Sequence, residues 1–223
     1  NSIFCSFMGE VQAQIVKTLL EERFNIKVSI ENPIVIHKEV PTTSAKAKAS
    51  YTCVSGIELE VSPLERGSGF KYVSKISTDF LHLKYQRQIE RLINHYSKQG
   101  LNGWELTDIE VALIDGQFDS MGSDPQHFNI ITPIALFRCL KQAKMKLLEP
   151  IFHFIITIPE KNLSQIIKLL SNKNSIYEIT NHYNEDITIE GDAPASNMMN
   201  FPLELSTLTS GRGTYSSYVS KYE

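Results

Sequence analysis

The spacing of apolar residues divides the chain into three regions, and the first is a strand–helix–strand unit. Apolar residues recur every three to four positions over residues 11–24, which predicts a helix with an inner stripe at Val11, Ile15, Leu19 and Leu20. Alternation on either side predicts strands at residues 3–7, 26–30 and 34–40. Since such a unit cannot cover both of its faces, residues 1–41 are expected to be the second half of a ferredoxin-like domain whose partner elements lie upstream.

The middle region, residues 42–148, follows a polar stretch and alternates strands with helices. The pattern predicts strands at residues 51–61 and 70–76 and a helix at residues 85–98. A third strand from residue 109 is predicted to end at Asp115-Gly116, because Asp and Gly favour turns. Asp124-Pro125 offers a capping side chain and a fixed φ, so a second helix is predicted from there to Met145.

The last region, residues 149–223, follows Glu149-Pro150 and has the clearest pattern. It predicts a strand, a helix, two hairpin strands, a helix and a strand, at residues 151–158, 160–171, 176–180, 187–190, 194–208 and 214–219. The first of these helices is expected to bury Leu163, Ile166, Ile167 and Leu170. A βαββαβ order is that of the ferredoxin-like fold, so the chain as a whole is predicted to be α+β.

Residues 117–126, between the third strand and the second helix of the middle region, are rich in Asp, Ser, Gly and Pro. Rigid elements hold this segment at both ends, and loops positioned in this way often carry binding residues. The alternative is an ordinary strand-to-helix connection, since loops of roughly ten residues are long but not rare. This segment is the candidate binding site.

Composition and charge narrow the possible partners. No apolar run approaches the roughly 18 residues that span a bilayer, and residues 1–7 lack the features of a signal peptide, so no membrane contact is expected. Three scattered cysteines fit reduced thiols in a cytoplasmic protein. The net charge of −3 argues against unspecific nucleic-acid binding by the whole chain. Residues 42–148 carry 13 Lys and Arg against 11 Asp and Glu, so any phosphate contact is expected there.

The sequence contains little catalytic chemistry. It lacks GxxxxGK[ST], HExxH, CxxC and GxSxG motifs, and its six histidines show no ligand spacing. No catalytic residue, metal site or cofactor is therefore expected within this chain. His127, directly after the candidate loop, is the one histidine of interest. The segment is expected to bind rather than to make or break bonds.

Four motifs resemble signposts of the elongation factor G family, in its order and spacing. They are Gly9-Glu10-Val11-Gln12, Pro63-Leu64-Glu65-Arg66-Gly67-Ser68-Gly69-Phe70, Leu147-Leu148-Glu149-Pro150-Ile151 and Gly211-Arg212-Gly213-Thr214. Within the family, three further motifs are similar to the tetracycline-resistance ribosomal protection proteins, whereas translocating factors usually lack the first. They are Gln99-Gly100-Leu101-Asn102-Gly103-Trp104-Glu105-Leu106-Thr107-Asp108, Ser123-Asp124-Pro125-Gln126-His127-Phe128 and Thr132-Pro133-Ile134.

The resemblance implies that residues 1–41 end domain III, that residues 42–148 form domain IV, and that residues 149–223 form a ferredoxin-like domain V. Domain IV would be a ribosomal S5-like αβ unit with a left-handed crossover. The parent protein would be a ribosome-dependent GTPase that holds GTP and Mg in a domain upstream of this chain. Its partners would be the 16S rRNA decoding region, through domain IV, and the 23S rRNA and stalk base, through domain V. No DNA partner is implied.

The resemblance also implies which residues reach the decoding site. They would be Gln117, Phe118, Asp119, Ser120, Met121, Gly122, Ser123, Asp124 and Pro125. A short supporting loop at the same tip would contain Thr43, Ser44, Lys46 and Lys48. The main loop departs from the pattern, because the protection proteins usually carry an aromatic residue followed by Ser-Pro-Val-Ser where this chain has residues 119–123. Phe118 is then the only ring for stacking, and Asp119 would repel phosphate.

Three functions follow from these observations. The leading hypothesis is the ribosome-binding part of a tetracycline-resistance protection protein, which dislodges the drug with the domain IV loop. The second is a translocase or another ribosome-associated GTPase of the same family. The third is a stand-alone RNA- or protein-binding module, which a GxxxxGK[ST] loop upstream in the reading frame would exclude.

Overall fold

A computed structural model describes residue 5 and residues 10–31, 34–183 and 185–223, the side chains of residues 10–13 and 183 excepted. The chain separates into two compact units, Asn1–Ile34 and Val35–Glu223. The described part of the first unit is one helix, α1 (Glu10–Phe24), followed by irregular chain. The helix was predicted, and within the described residues its stripe is open to solvent, since Ile15 and Leu19 are exposed.

Two strand predictions for the first region are wrong. Residues 26–30 alternate in sequence but form no strand, because a strand needs a hydrogen-bonded partner and no described residue pairs with them. Of residues 34–40 only the end is a strand, β1 (Lys38–Pro41), and it belongs to the second unit. The strand predicted at residues 3–7 lies outside the described residues, except for Cys5, which is irregular.

The middle region consists of a four-stranded sheet covered on one face by two helices. Its elements are β2 (Ala45–Tyr51), β3 (Ser55–Pro63), β4 (Phe70–Ser74), α2 (Leu83–Tyr96), β5 (Glu105–Leu106), β6 (Ile109–Phe118), α3 (Pro125–Gln142) and β7 (Met145–Leu148). The large sheet has the order β2-β3-β6-β4, in which β4 and β6 are parallel and α2 lies between them in sequence. A small sheet, β5-β1-β7, lies near the first residue of β6, since β5 directly precedes β6 in the chain.

Alternation along the strands explains this layered packing. In β3 every second residue is buried, with Ile57, Leu59 and Val61 facing the helices. The helices meet them with fully buried side chains such as Ile89 and Phe128, and together these residues form a continuous core. The face of the sheet opposite the helices carries the polar residues and is open to solvent.

The structure corrects two boundaries in the middle region and adds a strand. Strand β6 does not end at Asp115-Gly116 but continues to Phe118. A bulge opposite Glu58 and Leu59 absorbs one extra residue, and Gly116 lies close to Leu81, where a side chain would not fit. Helix α3 ends at Gln142 rather than Met145, and β7 follows it.

The last region has the predicted fold. Its elements are β8 (Pro150–Pro159), a 3-10 turn (Glu160–Asn162), α4 (Leu163–Asn172), β9 (Ile176–Tyr183), β10 (Asp186–Pro194), α5 (Ala195–Met198), α6 (Phe201–Thr209) and β11 (Thr214–Tyr222). The antiparallel sheet order β11-β8-β10-β9 is that of a ferredoxin-like domain. The helix predicted at residues 194–208 is two helices. Ile166 and Leu170 are fully buried, and Leu163 and Ile167 are half-buried. The predicted α+β class is confirmed.

Among the described helices, none has the length and apolar character that crossing a bilayer requires.

Candidate functional site

Three chain connections meet at one end of the middle region, which we call the tip. The first is the hairpin turn at residues 52–54, between β2 and β3. The second is the segment 75–82, between β4 and α2, which is fixed because Gln86 Nε2 donates to the Leu81 carbonyl at 2.8 Å. The third is the tip loop, residues 119–124, between β6 and α3. They lie together because β3 runs antiparallel and β4 parallel to β6, whose last residue is Phe118.

The tip loop is folded around the carboxylate of Asp119. Its Oδ1 accepts hydrogen bonds from Met121 N and Gly122 N, both at 2.8 Å, which closes a tight turn. The bond from Met121 N is the main cause that lowers the pKa of Asp119 below its usual value, so the group is ionised at neutral pH. One carboxylate oxygen is thus engaged by the loop's own backbone, and the Met121 side chain is 97% exposed.

Ser123 fastens the tip loop to the neighbouring hairpin. Its Oγ accepts from Asp119 N at 2.8 Å and donates to the Val54 carbonyl at 2.8 Å. It also lies 2.8 Å from Ser55 Oγ, in β3. On the other side, Tyr85 OH in α2 donates to the Ser123 carbonyl at 3.1 Å. Three separate elements therefore hold one loop residue, and the loop needs no Pro to be stiff.

The start of α3 lies where the sequence predicted it. Asp124 is the N-cap residue, and its Oδ1 accepts from Gln126 N at 2.7 Å. His127 completes a capping box, since Asp124 N donates to its Nδ1 at 3.3 Å. The His127 ring stacks on Tyr51, with ring centroids 4.3 Å apart, so this histidine supports the tip.

The residues predicted at the two ends of the loop have structural positions. Gln117 and Phe118 belong to β6, and Pro125 is the first residue of α3. The Phe118 ring is half-buried and packs at the edge of the core, 5.8 Å from the Tyr85 ring. Gln117 Nε2 donates to the Cys53 carbonyl at 3.1 Å, which ties β6 to the hairpin turn. The part of the predicted site that belongs to the loop itself is therefore Asp119 to Asp124, in which all residues except the half-buried Ser123 are exposed.

The predicted supporting loop is wrong in its placement. Thr43 and Ser44 lie at the far end of the sheet, where Thr43 N donates to the Ala143 carbonyl. Lys46 and Lys48 are in the middle of β2, and each forms an ion pair across the sheet, with Glu60 at 3.2 Å and Glu58 at 3.1 Å. The hairpin turn 52–54 occupies the place expected for that loop.

Sequence patterns missed this hairpin turn for a physical reason. The turn contains neither Gly nor Asn, and Thr52 adopts the left-handed conformation, φ 54°, which a β-branched residue rarely does. Strand β2 was missed because Ala has a low strand propensity. Its Ala47 and Ala49 are nevertheless buried under α3. The small side chains let the helix approach closely.

A second turn, the base turn of residues 100–104, lies at the opposite end of β6, about 30 Å from the tip by strand length. It contains the Gly-Trp motif. Glu39, fully buried in β1, accepts from Asn102 N at 2.7 Å and from Trp104 N at 3.0 Å. Trp104 is half-buried beside the His37 ring, 5.4 Å away. The turn that carries Trp104 therefore depends on a residue more than sixty positions earlier.

The tip offers shape and exposed side chains rather than reactive groups. Among the described residues, no cluster of His, Cys, Asp or Glu is arranged to hold a metal ion. The carboxylates of Asp119 and Asp124 both accept backbone N–H groups, and neither faces a partner base. The arrangement is suited to binding a surface.

Comparisons with known proteins match nearly the whole chain. The family model described as elongation factor G, domain IV matches residues 36–144, and the model described as elongation factor G C-terminus matches residues 146–223. A crystal structure of a protein from Thermus thermophilus superposes with a TM-score of 0.81 at 20% identity. It covers 96% of this chain and 33% of that one, and it supports the fold alone.

Several curated relatives are named as tetracycline resistance proteins. TetP of Clostridium perfringens is 31% identical, over 96% of this chain and 34% of the relative. TetO of Campylobacter coli is 29% identical, over 100% and 36%. TetM of Enterococcus faecalis is 31% identical, over 95% and 34%. This chain spans about a third of the length of these relatives, at about 30% identity.

Proposed function

The chain belongs to the elongation factor G family, and from this premise we propose that it is the ribosome-binding part of a tetracycline-resistance ribosomal protection protein. In this proposal the tip loop enters the decoding region of the small subunit and displaces the drug from its rRNA site. The observation that carries the proposal is the combination of Met121, whose side chain is 97% exposed, with a loop that three elements hold in place.

A stiff loop is what such displacement needs. A flexible loop would lose conformational entropy on entering a narrow site, and this loss would weaken its competition with the drug. Here the hydrogen bonds of Asp119 and Ser123 fix the backbone before binding. The preorganised loop would thus be stiff without the Ser-Pro-Val-Ser segment that the family resemblance implies at this place.

The charge of Asp119 limits which part of an RNA the tip loop can contact. An exposed carboxylate repels phosphate. Two backbone N–H groups stabilise the ionised form of this carboxylate and do not remove its charge, so the loop would have to avoid phosphate groups. Contact with RNA would then come from the Met121 thioether and the loop backbone, through packing against bases and sugars.

Nucleotide chemistry would take place outside this chain. Neither the sequence nor the described residues offer a phosphate-binding loop or a metal cluster. GTP and Mg²⁺ would be held by the nucleotide domain that the family implies upstream. GTP hydrolysis would drive release from the ribosome, and the present chain would supply the contact. The last region would rest against 23S rRNA near the stalk base.

A drug-chase experiment tests the proposal. Ribosomes loaded with radiolabelled tetracycline are mixed with GTP and the protein that joins this chain to its nucleotide domain, and bound drug is followed by filtration. The Met121→Ala variant is expected to slow drug release by about tenfold, a common loss for an exposed anchor residue. Ile176→Ala is the matched control, because Ile176 is also apolar and 82% exposed but lies in the last region.

Two results would contradict the proposal. If the unaltered protein leaves the drug bound during GTP turnover, the resistance function is wrong. If toeprinting then shows movement of mRNA and tRNA, the protein is a translocase instead. Loss of release in Ile176→Ala equal to that in Met121→Ala would show that the tip is not the site of action.

A further inference from the structure

The two faces of the middle region carry their charges in different ways. On the sheet face, four lysines alternate with acidic residues and all are paired. The pairs are Lys46 with Glu60, Lys48 with Glu58, Lys71 with Glu110, and Lys75 with both Glu60 and Glu110, at 2.9 to 3.5 Å. Hydrogen bonds from Lys46 and Lys71 lower the pKa values of Glu60 and Glu110, so the acids stay charged. This face is close to neutral.

The helix face carries the unbalanced positive charge. Helices α2 and α3 together contain five Lys and Arg but only one acidic residue, Glu90. The exposed residues of α2 are Leu83, Lys84, Arg87, Glu90, Arg91, Asn94 and His95. The basic and neutral polar residues on this side of the helix, which we call the α2 stripe, are Lys84, Arg87, Arg91, Asn94 and His95 with the half-buried Gln88, and Glu90 lies beside them. In the described chain, none of its three cations forms an ion pair, and Arg91 instead donates to Gln88 at 2.7 Å.

This arrangement does not serve the stability of α2. Lys84 and Arg87 are three positions apart and Arg87 and Arg91 four, spacings at which like charges repel on a helix. Lys84 also stands in the first turn, which has no acidic residue, although the positive end of the helix dipole disfavours a cation there. Since local stability and sequence disagree here, a functional reason is indicated.

The α2 stripe is continuous with the tip. Lys84 Nζ lies 4.6 Å from the centre of the Tyr85 ring, and Tyr85 OH holds Ser123 of the tip loop. From Lys84 to His95 the stripe runs for about 16 Å along the helix, at about 1.5 Å per residue. Cations spaced every three to four residues over this length can each meet a separate phosphate of a nucleic-acid strand.

We propose that the α2 stripe is a second RNA contact, which binds the phosphate backbone of a folded RNA while the tip loop is inserted beside it. Amide side chains between the cations suit hydrogen bonds to phosphate and ribose oxygens. The exposed apolar side chains near the stripe, Leu83 and Phe80, lie only at the start of α2. The rest of the exposed face is polar, whereas a membrane-binding helix presents an apolar face along its length. The inference extends the proposed function, since it supplies affinity and orientation for the same ribosomal partner.

The test compares two triple variants of the 223-residue chain that change the net charge equally. One removes the cations of the α2 stripe, by Lys84→Gln, Arg87→Gln and Arg91→Gln. The other removes three cations of the sheet face, by Lys46→Gln, Lys71→Gln and Lys75→Gln. Gln is a good helix former, so α2 is expected to stay folded in the first, and circular dichroism checks both. Fluorescence anisotropy measures binding to a labelled RNA duplex of about 20 base pairs over a range of salt concentrations.

The stripe variant is expected to bind about 100-fold more weakly at ~0.1 M salt, with the slope of log K against log salt reduced by about two to three. The sheet-face variant is expected to change that slope by less than one. Equal losses in both variants, or no loss in the stripe variant, would overturn the inference. Binding of the parent chain to vesicles with about 30% phosphatidylserine, but not to the RNA, would also overturn it in favour of a membrane surface.

The outcomes separate this inference from the proposed function. If the stripe variant binds RNA normally while Met121→Ala blocks drug release, the inference fails and the proposed function stands. If the stripe variant loses RNA binding while Met121→Ala releases drug normally, the α2 stripe stands and the proposed role of the tip loop fails.

Discussion

The tip loop and the base turn are both built around a carboxylate that accepts two backbone N–H groups, but they differ in where the carboxylate comes from. Asp119 holds the tip loop from within, over two and three residues, and is exposed to solvent. Glu39 holds the base turn from another strand and is fully buried. The first is a local turn that faces outward, and the second is part of the fold.

The difference in burial sets the expected energies. Water can replace a lost hydrogen bond at an exposed turn, so a change there costs little. A buried carboxylate has no such replacement, and its removal leaves donors without acceptors. Evolution or engineering can therefore alter the exposed residues 119–122 with little risk to folding, whereas the Gly-Trp motif is constrained by its buried partner.

The largest effect is expected from Glu39→Ala. The substitution removes the acceptor of Asn102 N, Trp104 N and the Asn102 amide, and hydrogen bonds to a charged group are worth about 1.5–3 kcal/mol each. Because Asn102 is exposed and water can reach part of the turn once the side chain is removed, we expect the middle region to lose less than the sum of these bonds, about 2–4 kcal/mol in total. Urea unfolding followed by the fluorescence of Trp104, the only Trp of the chain, measures this loss where it arises.

Glu39→Gln is the matched control for this prediction. Gln keeps an oxygen for the two backbone donors, and the Asn102 amide can reverse to accept from the new NH₂ group. We therefore expect less than half the loss seen with Ala. An Ala variant as stable as the parent chain would show that the base turn does not depend on Glu39.

The next effect is expected from Gly100→Ala. An added Cβ would lie 2.7 Å from Glu39 Cδ and 2.7 Å from Leu106 Cδ2, so both neighbours must move. Overpacking of this kind costs about 1–3 kcal/mol. In a double-mutant cycle with Glu39→Ala the two losses should not add, because the second change removes one of the clashing groups. Strictly additive losses of stability would show that Gly100 and the Glu39 carboxylate do not interact.

The contrast between the two turns also explains what the sequence could predict. The N-cap at Asp124 was predicted because its signals lie within two residues of one another, and the ferredoxin-like last region because each of its elements has its own period. The partnership of Glu39 with residues 102–104 was not predicted, since no local pattern connects β1 to the base turn. The family resemblance is confirmed. It was recognised from short local motifs that follow one another along the chain in the family's order.

The tip was predicted in part for the same reason. The segment 117–126 was recognised as a connection from its composition, but the extension of β6 to Phe118 depends on pairing with β3, which the segment itself does not encode. Likewise Lys46 and Lys48 were predicted to lie in a loop, because their strand depends on the pairing of Lys46 with Glu60 and of Lys48 with Glu58. Periodicity predicts elements, and cross-strand partners decide where they end.

A smaller effect is expected from Gly122→Ala in the tip loop, the counterpart of Gly100→Ala. The added Cβ would lie 3.0 Å from Val54 Cγ1, the end of a side chain on the neighbouring hairpin turn. The valine can move by a few tenths of an ångström, so the loss should be under about 1 kcal/mol, within the range of surface changes. Equal losses for Gly122→Ala and Gly100→Ala, measured by urea unfolding, would contradict the distinction between the two turns.

The smallest effect is expected from protonation of Asp119. Its pKa is lowered in the folded chain, first by the hydrogen bond from Met121 N and then by that from Gly122 N. The carboxylate therefore stabilises the loop at every pH above its unfolded pKa, and this contribution is lost as the pH falls through the lower folded pKa. An NMR titration of the Met121 and Gly122 amide shifts should give one shared midpoint below about 3.9, the usual value for an Asp side chain.

In Asp119→Asn that transition should disappear while the melting temperature at about pH 7 stays unchanged, because Asn retains an acceptor oxygen and the site is exposed. A midpoint at or above the usual value would mean that the loop does not close on its own carboxylate, and the preorganisation assigned to the tip would fail with it.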